Sequence, residues 1–214
     1  MNLSILEYDF IDDEFEIKAK INSLDKDAKI YLMQIHDLYI EDLFFMSAID
    51  KSIKLINSFL FALEERNITV LATLTRIQMD CVLRTYASTL VQDSKDFCES
   101  VLYDNVPINK IKDRNNKNLT DKYLCELLGK YLNQPIYESY KKICAYVHFS
   151  SSSFYNIIKP SEECDFSMYI SRKNRAEDEM IYKKHSIELA NQFYYFGILL
   201  IKVILGSWLE QKDK

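Results

Sequence analysis

Glycine and proline are almost missing from this chain, at three each in 214 residues. Strand-and-turn architectures use both freely, so the shortage argues against an all-β or loop-rich fold and for long helices. It also removes two phosphate-binding devices. There is no G-x-G-x-x-G and no G-x-x-x-x-G-K-[ST], so the usual glycine-rich cradles for dinucleotides and nucleoside triphosphates are absent. Histidine is as rare, at three, and the five cysteines (Cys81, Cys98, Cys125, Cys144, Cys164) include no C-x-x-C pair. That is not a zinc pattern, and neither a metal nor a cofactor is expected. An odd number of dispersed cysteines, with no signal peptide ahead of them, suits a reducing cytoplasm.

What is present is apolar and helical in period. Hydrophobic residues make up 48% of the chain and charged residues 28%, an ordinary globular balance. The net charge of −5 is local in origin. Glu7, Asp9, Asp12, Asp13, Glu14 and Glu16 crowd one segment without a base, and the remainder is close to neutral. Residues 1–40 read as an acidic N-terminal extension packed on a bundle formed by residues 41–214. Within the extension, Phe15, Ile17, Ala19 and Ile21 alternate as in a strand, whereas the Asp12-Asp13 start suits a helix. A helix is expected there, with a short hairpin as the rival.

From residue 41 the period is plain. Phe44, Phe45, Ile49, Ile53, Ile56, Phe59, Leu60 and Leu63 recur at three and four residues, marking a helix of about 25 residues. A second helix, from about 68 to 92, is apolar nearly all round and so must lie centrally. Residues 104–118 form a polar loop. Thr120 caps a helix to about 133, and Pro135 opens another running to about His148. A closing helix spans about 175–209. The expected fold is all-α, an up-and-down bundle around a buried central helix, with one short β-hairpin or strand near 160–171. The run 193–209 carries one charge, Lys202, which favours a core or dimer helix over a membrane anchor.

Three charges interrupt the central helix at i, i+4 and i+8: Arg76, Asp80 and Arg84. They share one face, and Asp80 can bridge both arginines. A charge on a buried helix must be paired or face a wet cleft, so the stripe is either a structural ion network or the wall of a groove. Two arginines against one acid leave a positive surplus suited to phosphate or carboxylate. Tyr146-x-His148-x-Ser150 ends the Pro135 helix, with His148 on the face of Lys141. His148 either caps the last carbonyls or acts as a general acid/base beside a phosphate held by Arg76, Arg84 or Lys141. Lys110, Lys112, Arg114 and Lys117 of the polar loop, with Lys141, Lys142, Arg172, Lys173 and Arg175, could make a basic nucleic-acid patch. Lys183, Lys184 and His185 are expected on the exposed side of the closing helix.

The order of LATLTRIQMDCVLRTYA (71–87), a basic connector, YKKICAYVHFSSSS (140–153) and an apolar closing helix resembles the HEPN-like helical domains of bacteria. The resemblance covers roughly residues 41–209. It implies a helical bundle, often dimeric, in phage-defence or toxin–antitoxin systems. Active members cut RNA without a metal, using an arginine separated from a histidine by four to six residues. Here Lys141, Lys142 and Ile143 occupy those positions before His148, with Cys144 beside them, and a lysine cannot supply the planar fork of a guanidinium. The resemblance therefore implies the fold more than the nuclease. Three functions follow as expectations. The first is a non-catalytic domain binding a protein partner or RNA. The second is a metal-independent ribonuclease or nucleotide-modifying enzyme using His148 with Arg76 and Arg84. The third is a membrane-associated protein anchored by 193–209.

Overall fold

The computed structural model describes residues 11–35, 38–147, 158–160, 166–168, 179–206 and 208–209. Its helices are α1 (Glu14–Leu32), α2 (Ile40–Glu64), α3 (Ile68–Ser88), α4 (Ser94–Leu102), α5 (Asp121–Leu132), α6 (Ile136–Val147) and α7 (Glu179–Ile198). A π-helical stretch, Leu199–Leu205, continues α7. Strands β1 (Ile158–Pro160) and β2 (Phe166–Met168) pair antiparallel, with Lys159 opposite Ser167. The chain is an all-α bundle with one small hairpin near the place expected.

Local chemistry sets the helix boundaries. Asp13, Asn67, Asp93 and Thr120 each accept a backbone N–H in the first turn of α1, α3, α4 and α5. Helix α3 stops at Ser88, short of the expected residue 92, because Thr89–Gln92 form a turn and Asp93 starts α4 afresh. Arg66, between α2 and α3, takes a left-handed conformation at φ 55°.

Helix α3 is central, packed on by α2, α5, α6, α7 and the π-helical stretch. Its Leu71, Ala72, Met79, Val82, Leu83 and Ala87 have no exposed surface. The apolar run 193–209 turns inward as well. Phe193, Leu199, Leu200 and Ile201 are buried, and Phe193 stacks on Phe59 with ring centroids 4.4 Å apart. Lys202, its one charge, pairs with Asp27 of α1 at 3.0 Å. No helix among the described residues is long and apolar enough to cross a membrane.

Helix α1 is part of the core. Ile17, Ile21, Leu24 and Ala28 are fully buried, and burying the three larger side chains is worth on the order of 5–9 kcal/mol. Ahead of α1, the Asn191 amide clamps the backbone of Ile11. Its Oδ1 accepts the Ile11 N–H at 2.8 Å and its Nδ2 donates to the Ile11 carbonyl at 2.8 Å. A buried amide thus replaces the strand partner that this stretch of backbone lacks.

Candidate functional site

The charged stripe of α3 closes on itself through a residue that the sequence did not single out. Arg76 pairs with Asp80, one helical turn on. Its Nη2 also donates to the Tyr140 hydroxyl at 2.6 Å and to Asp121 at 3.4 Å, and its Nε donates to the Cys144 sulfur at 3.4 Å. The Tyr140 hydroxyl in turn donates a hydrogen bond to Asp121 Oδ2 at 3.0 Å, and its ring lies under the Arg76 guanidinium, 4.1 Å from ring centroid to Cζ. Arg84 reaches Asp121 Oδ1 at 2.5 Å.

Two arginines therefore meet two carboxylates, and the positive surplus expected of the stripe is cancelled. Burial works to lower the Arg76 pKa, but the bond and charge of Asp80 outweigh it and raise the value. Burial pushes the Tyr140 hydroxyl up to about 12, against the nearby Arg76 charge. The Arg76 side chain retains 13% of its exposure, so little of it could meet an incoming phosphate.

Asp121 is the first residue of α5, where a carboxylate also complements the helix dipole. Its only sequence signal is that position behind the Thr120 cap. Nothing in spacing links it to a helix forty residues earlier.

The remaining candidates scatter. Lys141 pairs with Glu138 on its own helix at 2.8 Å, and Lys142 pairs with Glu188 of α7. The Tyr146 hydroxyl meets His185 Nδ1 at 2.9 Å, and the two rings are edge-on at 5.8 Å. His185 is consequently half-buried between α6 and α7, not on the exposed side of the closing helix. Burial lowers its pKa; Glu188 opposes that, and Lys142 and Lys184 reinforce it. His148, Ser150, Arg172, Lys173 and Arg175 lie outside the described residues.

The polar loop is anchored at Asp113 and Arg114, while most of its other residues are exposed. Arg114 caps the end of α3: its Nη2 donates to the Thr89 carbonyl at 2.6 Å and its Nε to the Leu90 carbonyl at 3.1 Å. Asp113, 7% exposed, accepts the N–H groups of Asn115 (2.9 Å) and Lys117 (2.8 Å) and the Tyr123 hydroxyl (2.7 Å). Burial alone would raise its pKa, but these bonds outweigh it and hold the carboxyl below its usual value. Lys110, Lys112 and Lys117 remain exposed, with Lys117 5.6 Å over the Tyr123 ring. Arg114 is exposed as well, with part of its guanidinium engaged at the end of α3.

Between this loop and the π-helical stretch lies a cavity of about 610 Å³. Its walls include Phe45, Tyr86, Tyr123, Tyr131 and Trp208. Trp208 is held by a 3.0 Å bond from Nε1 to the buried Asp42 and by the Phe45 ring at 5.1 Å. Period places Phe45 and Tyr86 on buried helix faces, but nothing in the sequence shows that these aromatics converge. No group of His, Cys, Asp and Glu able to hold a metal occurs among the described residues. Burial raises the thiol pKa of Cys81 to about 11 and those of Cys98 and Cys125 to about 12, which keeps them protonated and unreactive. Compared with known family models, curated proteins and solved structures, the chain has no significant match.

Proposed function

We propose that this chain is a non-catalytic, HEPN-like helical domain that binds a protein partner, in a bacterial defence or toxin–antitoxin setting. The observation that carries the reading is one end of the bundle. Here α2 stops while α1, α3 and α7 begin, joined by ion pairs Lys18–Glu64 at 2.6 Å and Arg66–Glu179 at 2.8 Å. Phe61, Val70, Phe15 and Met180 stand exposed at this end, Phe61 with 66% of its surface in the open. Phe61, Val70, Ala62 and Leu74 border a groove of about 670 Å³. Large exposed side chains gathered at one end and rimmed by charge suit a protein interface.

Among the described residues, most cations expected at a nucleic acid are engaged, which favours the same choice over RNA, with Lys110, Lys112 and Lys117 the exposed exceptions. Arg76 and Arg84 are engaged with Asp80 and Asp121, Arg114 with backbone carbonyls, and Lys141 and Lys142 with Glu138 and Glu188. Nucleic-acid affinity needs such cations free to neutralise phosphates.

A photo-crosslinking amino acid at position 61, introduced in the native host, tests the reading. The expected result is a protein adduct of discrete mass that Val70→Asp abolishes and that the same probe at Lys122 does not form. An adduct with nucleic acid, or equal labelling from both positions, overturns it. So does RNA cleavage by the wild type that is lost in both Arg76→Ala and His148→Ala, which would restore the ribonuclease.

A further inference from the structure

The aromatic cavity at the end of α3 is separate from the groove beside Phe61, and its construction differs. Its charged wall residues are one acid, Asp113, and one base, Arg114, both engaged within the protein. The lining therefore presents no net charge. Tyr86 is 8% exposed and lines the cavity, and its hydroxyl, which no described residue bonds, keeps what access to solvent the residue has. A hydroxyl without a protein partner at the wall of a cavity is free to exchange its water for a ligand atom. Burial, followed by the neighbouring Tyr131 and Tyr123, raises the Tyr86 pKa to about 12, so the group keeps its proton and can donate.

Two of the aromatic walls are fixed in place, while Tyr131 stands at the open side. Trp208 is bonded to Asp42, Tyr123 to Asp113, and the π-helical stretch brings Ile204 to the same face as Trp208. π-helical turns recur at binding sites because the extra residue re-aims the side chains that follow. Anchored aromatic rings, no net charge and a hydroxyl without a protein partner point to a class of ligand.

We propose that this cavity is a binding site for a small, uncharged, flat aromatic molecule whose hydrogen-bonding edge meets the Tyr86 hydroxyl, as a phenol-type compound would. At about 610 Å³ the space lies within the range of small-molecule sites and holds one ring with its substituents. Arg114 is bonded to the carbonyl end of α3 and Asp113 to Tyr123, so a carboxylate or a quaternary ammonium on the ring would find no free countercharge for the hydration it gives up. Both would lose affinity relative to the neutral ring.

Trp208 is the only tryptophan in the chain and stands in the cavity wall, so its fluorescence reports occupancy directly. The probes are 4-methylphenol, 4-methylbenzoate and (4-methylbenzyl)trimethylammonium, with excitation at the red edge and calorimetry alongside. The expected result is saturable quenching by 4-methylphenol in roughly the millimolar range, as suits so small a ligand, and weaker binding of both ions. Tyr86→Phe, which removes one oxygen and leaves the ring, weakens 4-methylphenol about fivefold, the worth of one hydrogen bond. Leu127→Phe, which fills the space, abolishes binding while circular dichroism stays that of the wild type. Absence of quenching and heat in the folded wild type overturns the proposal, as does equal binding of the three probes or unchanged affinity in Tyr86→Phe.

Discussion

Arg84 of α3 and Asp121 of α5 meet at 2.5 Å, and through this contact the charge on the central helix is balanced from outside that helix. Asp121 also takes bonds from Arg76 and Tyr140, so it is the residue on which the network converges. Asp121→Asn should destabilise the domain by about 2 kcal/mol. That lies below the cost of breaking a fully buried pair, because these side chains keep about a third of their exposure and water screens them. Arg84→Met combined with Asp121→Leu should recover most of the loss. Urea midpoints at constant slope measure both; a double variant no better than Asp121→Asn would refute the pairing.

The clamp of Asn191 on Ile11 predicts a local effect with a global cost. Asn191→Leu strands the N–H and carbonyl of Ile11 in the core and should cost about 2–4 kcal/mol. Hydrogen exchange at the Ile11 amide should accelerate well beyond that of α3 amides. Uniform acceleration would mean that the clamp has no local role.

Gly197 of α7 lies against Leu24 of α1. A Cβ there would stand 2.4 Å from Cδ1 and 3.0 Å from Cδ2 of Leu24. Leu24 is fully buried and has little room to yield. Gly197→Ala should therefore destabilise by about 1–3 kcal/mol, despite the better helix propensity of alanine. Leu24→Ala should cost less in the Gly197→Ala background than in the wild type, an interaction that a thermodynamic cycle measures.

His185 gives the domain an acid sensitivity with a defined sign. Its folded pKa lies below the ordinary value near 6.5, mainly through burial. As pH falls through 6.5 the unfolded chain takes up a proton that the folded one resists, so stability drops. The loss levels off below the folded pKa, where both states are protonated. Melting temperatures between about pH 7.5 and 5 should show this fall, and His185→Gln should remove part of it. An unchanged slope in the variant would place the sensitivity elsewhere.

Periodic features were legible in the sequence, and convergent ones were not. Helix α2 fell within a residue or so of its expected bounds because its apolar residues repeat cleanly at three and four. Helix α1 was ambiguous because Phe15 and Ala19, exposed in the structure, alternate with the buried Ile17 and Ile21 and mimic a strand. Asp80 was found by its spacing from Arg76. Asp121 was not, because a partner on another helix leaves no period. The same holds for Arg114: four basic residues in a loop look alike in sequence, and only docking against the end of α3 separates the one that caps it.

The bond between Asn191 and Ile11 spans 180 positions. On the ribosome, α1 can pair with α2 soon after synthesis, but its Leu24 face stays uncovered until Gly197 has emerged. Contacts so remote in sequence must bear the closure entropy of the intervening chain before they return any energy. The domain should thus complete its fold late, with a partly open bundle as the species most exposed to aggregation and to chaperones.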